Sequence, residues 1–204
     1  MSRYTGPKAR LVRRFGTNIF GTEKMSKILE KRPHGPGMHS QGRRGKDSEY
    51  KKQLLEKQKL RFMYGITERQ LRNYYKKAAS GDTRTGIALL TLLERRLDNV
   101  IYRAGFAKTR AQARQMVSHG LFTLNGRRVS IPSIQVREGD AIAVRDKSKK
   151  SPLFAEIIAD KDFDHARWLK SDQKNIKTEV AALPSEEDLD QLIQTHLIVE
   201  FYSK

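Results

Sequence analysis

Apolar residues recur at helical spacing through the first half of the chain, between residues that favour helix ends. Ser48 is a preferred helix N-cap and Gly65 a preferred stop, which predicts a helix between them. Thr67 and Gln70 have the spacing of a capping box, so a second helix is predicted to begin there. A third is predicted over 87–103, because its leucine, isoleucine and valine residues fall on one stripe.

The pattern then changes to a short helix followed by a hairpin. Thr109 and Gln112 again match a capping box, for a helix that ends at Gly120. The dipeptide Asn125-Gly126 stands between two short alternating segments. This arrangement is typical of a β-hairpin whose two-residue loop forms a type I′ turn.

The remaining residues alternate between short strand and helix patterns. A helix is predicted to open at Ser151, where Pro152 suits its first position, and another after Ser185, where acidic residues favour a helix N-terminus. The apolar segment 196–204 is expected to dock against the rest of the fold. Further strands are predicted within 137–146, 166–172 and 176–183.

The first 46 residues have a different composition. The segment 31–46, "KRPHGPGMHSQGRRGK", is rich in proline and glycine and carries five basic residues and two histidines. Such a composition favours an extended strap that becomes ordered against a partner. His34 and His39 could be considered as metal ligands, but no further ligand cluster lies nearby in sequence. The chain has no cysteine, so neither a disulfide nor a thiolate zinc site is expected.

The net charge says more about the possible partners of this chain than any single motif does. The 204 residues have a formal net charge of +18. Residues 1–150 hold 35 Lys and Arg against 12 Asp and Glu, a balance of +23, whereas residues 151–204 hold 6 against 11, a balance of −5. Solubility alone needs a net charge of only about 2–8. A basic surface of this size favours a polyanion partner, because each neutralised phosphate releases counterions.

Two arginines on the predicted 109–120 helix lie beside its apolar face. At about 100° per residue, Ala113, Met116 and Val117 define a buried face. Arg110 and Arg114 form a ridge about a quarter turn away, which suits contact with phosphates. Because the ridge lies outside the buried face, replacing both arginines is expected to weaken binding and leave stability almost unchanged.

The chemistry of catalysis is missing from the sequence. The five histidines are scattered, and neither a metalloprotease HExxH spacing nor a phosphate-binding glycine loop is present. The acidic clusters are explained by solvated faces and helix N-termini, so no carboxylate pair requires a general acid/base role. The chain is therefore predicted to be a binding protein without cofactor or metal, and not an enzyme.

A long segment resembles a known RNA-binding module. Residues 94–144, "ERRLDNVIYRAGFAKTRAQARQMVSHGLFTLNGRRVSIPSIQVREGDAIAV", closely resemble the module named after small-subunit ribosomal protein four. The segments "SRYTGP", "EKQKLRFMYGITERQLRNYY" and "HLIVEFYSK" also match the pattern of that ribosomal family, so the resemblance covers nearly the whole chain. It is weakest over 154–180. Many members carry a zinc-binding cysteine cluster near the N-terminus, which this chain lacks.

The resemblance implies an α+β fold of two parts. A helical domain of residues 47–92 and 184–204, with a helix around 186–195, would follow a basic Gly/Pro-rich extension of residues 1–46. An RNA-binding domain of residues 93–183 would be inserted into it, with two helices on a small antiparallel β-sheet.

The implied function is direct binding to 16S rRNA at the multi-helix junction of its 5′ domain, which nucleates assembly of the subunit body. The implied partners include small-subunit protein five and messenger RNA near the channel through which it enters, which links the family to translational accuracy. The expected location is the small ribosomal subunit in the cytoplasm, with an organellar ribosome as an open alternative. Because the longest apolar run, 86–93, is too short to span a bilayer and no signal peptide is visible, no membrane partner is expected. A small-molecule substrate is not expected either.

Two other classes of protein carry basic RNA-binding sequences. Some RNA-modifying and tRNA-charging enzymes have the same module as an appendage, and a general basic nucleic-acid-binding stress protein would have a similar charge. The residues outside the module contain no segment of catalytic-domain size or motif, and they match the ribosomal family instead.

The resemblance assigns candidate RNA contacts to residues throughout the basic part of the chain. In the module they are Arg96, Arg110, Arg114, His119, Asn125 and Arg127. In the extension and the first predicted helix they are Arg3, Lys8, Arg13, Arg14, Arg43, Arg44, Lys57, Lys59, Arg61 and Tyr64. Structural alternatives remain open for three of them. Arg96 could pair with Asp98 or with carboxylates near Glu94, Asn125 could serve its turn, and His119 could cap its helix.

Overall fold

The computed structural model of the chain describes residues 4–37, 40, 47–149, 151–159 and 164–203. The chain divides into two compact units, of which the first comprises residues 1–86 and 190–204 and the second residues 87–189. The boundaries predicted from the sequence lie at 93 and 183, a few residues inside those of the second unit.

Helices make up most of the first unit, and the second unit adds a sheet. In chain order the helices are α1 (Lys8–Phe15), α2 (Glu23–Lys31), α3 (Glu49–Met63), α4 (Glu68–Ala79), α5 (Thr85–Glu94), α6 (Leu97–Arg103), α7 (Arg110–Ser118), α8 (Asp146–Lys149), α9 (Pro152–Ala159) and α10 (Thr195–Ser203). The strands are β1 (Phe122–Leu124), β2 (Arg127–Val129), β3 (Ala141–Val144), β4 (Leu169–Asp172) and β5 (Lys177–Val180). Within the described ranges, no helix is both long and apolar enough to cross a membrane.

Local capping chemistry sets the ends of α3 and α4, as the sequence predicts. The Ser48 hydroxyl accepts a hydrogen bond from the backbone of Lys51, and Thr67 with Gln70 forms a complete capping box. Gly65, which follows α3, has φ +61°, a value that only glycine adopts without strain. The predicted docking of the C-terminal segment is also confirmed, since α10 packs against α3.

The N-terminal segment contains two helices that the sequence reading missed. Leu11, Val12 and Ile19 are buried there, and the Tyr4 and Phe15 rings contact the Phe62 ring of α3. The Arg13 guanidinium donates hydrogen bonds of 2.9 Å to the carbonyls of His34 and Gly35, which ties the following loop to α1. The extended strap predicted for 31–46 is described here only at 31–37 and 40.

The second unit is built on one five-stranded antiparallel sheet, in the order β2-β1-β3-β5-β4. Its core gathers α6, α7 and α9 on the sheet, with fully buried Phe106, Phe122 and Phe154. At the β1–β2 turn, Asn125 has φ +50° and Gly126 has φ +79°, the pair of positive values that a type I′ turn requires. The α+β class and the predicted hairpin are therefore confirmed.

The single helix predicted over 87–103 is wrong, because the structure has two helices there. The chain is extended at Arg96, where ψ is 135°, and it forms an isolated antiparallel bridge with Gln135. The backbone N–H of Leu97 donates to the carbonyl of Ile134 at 2.9 Å. A backbone partner from a distant part of the chain thus interrupts a helix that its apolar stripe would otherwise continue.

The helix predicted from Ser185 is also wrong. A 3₁₀ turn covers only Glu186–Asp188, and the chain is extended at Leu189, with ψ 152°. The Asp188 carboxylate accepts from both the backbone and the hydroxyl of Ser185, which completes a cap for a single turn. Regular helix resumes at Thr195, where α10 begins.

Candidate RNA-binding surface

The α7 arginines belong to a network built around two buried carboxylates. Glu94, at the end of α5, has 0% of its surface exposed. Arg103 donates two hydrogen bonds of 2.9 Å to its carboxylate, and the Asn99 amide donates a third of 2.6 Å. Because a buried carboxylate is costly unless it is paired and hydrogen-bonded, these partners satisfy Glu94 in the interior.

Asp98 is the second carboxylate of the network. Arg96 binds it in a bidentate pair, with N–O distances of 3.1 and 2.9 Å. The Arg114 guanidinium lies 3.8 Å away, and the backbone N–H of Asn99 donates to the same carboxylate at 3.0 Å. The sequence alternative that paired Arg96 with Asp98 is therefore confirmed.

Arg110 is fixed by three groups at the rim of this network. Its Nε donates to the Asn99 Oδ1 at 2.8 Å, its guanidinium stacks 4.6 Å from the centre of the Tyr102 ring, and its Nη2 lies 3.8 Å from Glu94. Only 14% of the Arg110 side chain and 18% of the Arg114 side chain are exposed. The expectation that these arginines leave stability unchanged assumed that both lie outside the buried face. Because both lie beside buried carboxylates, we instead expect their replacement to destabilise the fold.

Past the C-terminal end of α7, a second group of basic residues surrounds Gly120. Arg145 donates to the Gly120 carbonyl at 3.2 Å. The Arg128 guanidinium packs so closely on Gly120 that a Cβ there would lie 2.6 Å from its Nε. His119 is exposed and caps α7 through its backbone. We call this group and the ridge together the α7–hairpin surface, which comprises Arg110, Arg114, His119, Arg128 and Arg145.

Arg145 was missed as a candidate by sequence reasoning, whereas the arginine pair directly after the Asn-Gly turn indicates both Arg127 and Arg128. Arg127 and Arg128 are both exposed on β2. Arg145 follows the last residue of β3, and only the pairing of β3 with β1 brings it to Gly120. Nothing local in the sequence indicates Arg145.

Asn125 is occupied by its turn. Its Oδ1 accepts from the backbone of Ala141 at 2.9 Å, and its Nδ2 donates to Asp140 at 2.8 Å. These contacts explain the residue without RNA, in agreement with the structural alternative left open above.

Three predicted RNA contacts have buried side chains, which weighs against direct contact with RNA. Arg96 has 1% of its surface exposed and is bound to Asp98, as described above. Lys57 lies 2.9 Å from Glu68 and 4.5 Å from the centre of the Phe201 ring, and Tyr64 is buried at the end of α3. In the folded chain these side chains pack against protein groups in the interior.

Two further candidates on α3 are half-buried. Lys59 pairs with Glu56 at 3.3 Å and donates to the backbone carbonyl of Leu192. Arg61 stacks 4.5 Å from the centre of the Phe62 ring. Both hold their cationic groups against the protein, although part of each remains accessible.

The candidates of the N-terminal segment fall into three groups. Lys8 and Arg14 are exposed, with the Lys8 ammonium 5.3 Å from the centre of the Phe20 ring. Arg13 is half-buried and holds the loop after α2, as described above. The other three lie outside the described residues: Arg3, Arg43 and Arg44.

The outer face of α4 is a basic surface outside the candidate set. Its exposed residues include Arg69, Arg72 and Lys76, at helical spacings of three and four. Tyr75 on the same helix stacks on Tyr202, with ring centroids 4.8 Å apart, so it serves packing and not base stacking. The spacing of the basic residues in "ERQLRNYYKK" was the sequence signal for this face.

A partly buried carboxylate anchors the C-terminal helix in the first unit. Glu68 accepts a hydrogen bond of 2.8 Å from the Tyr202 hydroxyl. Burial and this hydrogen bond raise the pKa of Tyr202 well above its ordinary value. Among the described residues, no cluster of histidine and carboxylate side chains has the composition of a metal site.

The fold and this surface together define a basic α+β protein of the RNA-binding class. The family model "Ribosomal protein S4/S9 N-terminal domain" matches residues 3–94, and the model "S4 domain" matches residues 95–142. The chain is 51% identical over 213 residues to "Small ribosomal subunit protein uS4" of Nitratidesulfovibrio vulgaris (strain DP4), which covers 100% of both chains.

A second relative of the same name, from Borreliella burgdorferi (strain ZS7), is 47% identical over 206 residues, which cover 100% of this chain and 99% of the relative. The chain belongs to the uS4 family of small ribosomal subunit proteins. This family is one of structural ribosomal proteins, which confirms that the chain is not an enzyme.

Proposed function

We propose that this protein is a primary 16S rRNA-binding constituent of the small ribosomal subunit. It binds the multi-helix junction of the 5′ domain and thereby nucleates assembly of the subunit body. The observation that carries the proposal is the α7–hairpin surface, in a chain whose full length is covered by relatives named as small ribosomal subunit proteins.

The α7–hairpin surface suits the recognition of folded RNA by shape. Four of its five side chains are arginines held by neighbouring protein groups, and guanidinium groups bind phosphates in a fixed, bidentate geometry. Double-stranded RNA has a deep, narrow major groove that side chains cannot read, so proteins recognise it mostly by shape, through its phosphates and 2′-hydroxyls. A junction presents several phosphate backbones at once, which a rigid group of arginines can distinguish from a single duplex.

Binding to a transcript of the 16S 5′ domain tests this proposal directly. We expect the full chain to protect nucleotides at the junction in hydroxyl-radical footprinting and to prefer this transcript to duplex DNA of equal length. Equal affinity for both nucleic acids would overturn the proposal and favour a general basic nucleic-acid-binding protein.

A matched pair of arginine variants locates the binding surface. Arg128→Ala removes a cation of the α7–hairpin surface, and Arg167→Ala removes an exposed cation next to β4, at the opposite edge of the sheet. We expect only Arg128→Ala to weaken binding and to reduce the dependence of log affinity on log salt by about one unit. Equal effects of the two variants would contradict this placement.

Contacts with other components follow from the same assignment. We propose that the chain contacts small-subunit protein five and lies near the channel through which messenger RNA enters, in cytoplasmic ribosomes, and that it contributes to translational accuracy. Family membership supports this part of the proposal. Reconstituted subunits test it. Crosslinks from this chain to protein five and to messenger RNA are expected, and a misreading reporter should respond to variants at these contacts.

A further inference from the structure

Asn99 joins the buried Glu94 carboxylate to the Arg110 guanidinium. Its Nδ2 donates to the Glu94 carboxylate at 2.6 Å and to the Glu94 backbone carbonyl at 3.1 Å. These two bonds fix the orientation of the amide, so its Oδ1 faces Arg110 and accepts from the Arg110 Nε at 2.8 Å. The guanidinium is therefore held through a neutral amide.

The direct ion pair between Arg110 and Glu94 is weaker than the hydrogen bond between Arg110 and Asn99. Its N–O distance of 3.8 Å is too long for a hydrogen bond. The Asn99 bond and the Tyr102 ring therefore set the position of the guanidinium. An arginine held in one conformation before binding loses less conformational entropy when a phosphate binds.

We infer that Asn99, held by Glu94, is a positioning residue for Arg110 in RNA binding. Only 2% of the Asn99 surface is exposed, so its side chain cannot reach RNA itself. Any influence of Asn99 on RNA affinity passes through the groups that it holds. This inference rests on the proposed function, because it requires that Arg110 contacts the rRNA.

A double-mutant cycle tests the inference on the full chain with the 16S 5′-domain transcript. Asn99→Ala is expected to weaken binding by about 2- to 10-fold, the range for loss of order in one long side chain. In the Arg110→Ala background the same change should cause no further loss, because the arginine that it positions is gone. In the Arg128→Ala background the two effects should multiply, since Arg128 packs on Gly120 and not on Asn99.

The affinities are compared at a temperature at which circular dichroism shows every variant to be folded. If Asn99→Ala does not fold, Asn99→Leu replaces it, since leucine has a similar volume but lacks the oxygen that accepts from Arg110. The same pattern of coupling to Arg110→Ala is expected.

Three results would overturn the inference. The first is wild-type affinity in Asn99→Ala. The second is that the effects of Asn99→Ala and Arg110→Ala multiply, as those of Asn99→Ala and Arg128→Ala are expected to do. Either result leaves the proposed function intact. The third is wild-type affinity in Arg110→Ala, which would also remove Arg110 from the proposed RNA surface.

Discussion

The two ends of the α7–hairpin surface hold arginines by different means. At the start of α7, Arg110 and Arg114 lie against buried carboxylates and have little exposed surface. Past its end, Arg128 and Arg145 are placed by Gly120, through close packing and a carbonyl hydrogen bond. A carboxylate orients a guanidinium strongly but also offsets its charge, whereas a carbonyl and a glycine leave that charge intact. Stability and RNA affinity should therefore respond differently at the two ends.

The largest effect is expected from removing the buried carboxylate of Glu94. Glu94→Ala should lower the free energy of unfolding by about 3 kcal/mol or more, because Arg103 and Asn99 lose their buried partner. Chemical denaturation measures the loss. Glu156→Ala is the control, since Glu156 pairs with Lys108 at 3.1 Å on the exposed surface and should matter by less than about 0.5 kcal/mol. Similar losses in the two variants would show that the network is not a stabilising element.

A substitution at Gly120 should separate stability from RNA binding. Gly120 has φ +67°, and a Cβ there would meet the Arg128 guanidinium at 2.6 Å. Gly120→Ala should cost about 1–2 kcal/mol through its left-handed backbone and should also weaken RNA binding, because Arg128 must move.

Gly139→Ala is the matched control for this prediction. Gly139 has φ +79°, and a Cβ there would have no other atom within 4 Å, so a methyl group strains the backbone alone. A similar loss of stability with unchanged RNA affinity is expected. Weaker RNA binding in the control would mean that backbone strain, and not the displacement of Arg128, reduces affinity.

Arg110→Ala should moderately lower both the stability of the fold and the affinity for RNA. It removes a charge-assisted hydrogen bond to Asn99 and a cation near Glu94, for an expected loss of about 1–2 kcal/mol in the free energy of unfolding. Arg128→Ala should change that free energy by less than about 0.5 kcal/mol, as expected for an exposed side chain. Thermal denaturation of the two variants measures the difference, and equal melting temperatures would remove the distinction between the two ends.

The smallest effect concerns the Tyr202 hydroxyl, which donates to the half-exposed Glu68 carboxylate in the first unit. The Tyr202 pKa is raised in the folded chain, so the stability that its hydroxyl contributes is fully present below its unfolded pKa of about 10 and is lost as the pH rises through the folded value. Denaturation at neutral pH and above pH ~10 should therefore show a smaller alkaline loss in Tyr202→Phe than in the wild type. An identical alkaline loss in both proteins would show that this hydroxyl is not the responsible group.

Sequence reasoning succeeded where the causes are local. The Ser48 cap, the Thr67 capping box and the Asn125-Gly126 turn involve neighbours within a few residues, and all three were predicted. Reasoning from periodicity failed at Arg96, because the bridge that ends α5 comes from Gln135, 39 residues further along the chain. An apolar stripe carries no information about a backbone partner so distant in sequence.

The candidate surface was predictable only in part, because contacts between residues distant in sequence also decide which basic residues are exposed. A basic residue looks the same in sequence whether it faces solvent or a buried acid. Lys57 and Arg96 were expected at the surface, yet Glu68 and Asp98 hold them inside. Conversely, Arg145 joins the surface only through the pairing of β3 with β1. Which arginines are accessible is therefore decided by tertiary pairing.

The position of β2 in the sheet has a consequence for solubility. In the order β2-β1-β3-β5-β4, β2 has a neighbour on one side only, and such an edge strand can pair with the edge of another molecule. This strand is three residues long and carries Arg127 and Arg128, both exposed. A second copy of the chain would bring the same positive charges to the same edge. We therefore expect these arginines, besides the RNA role proposed for Arg128, to disfavour sheet-to-sheet pairing of the free protein.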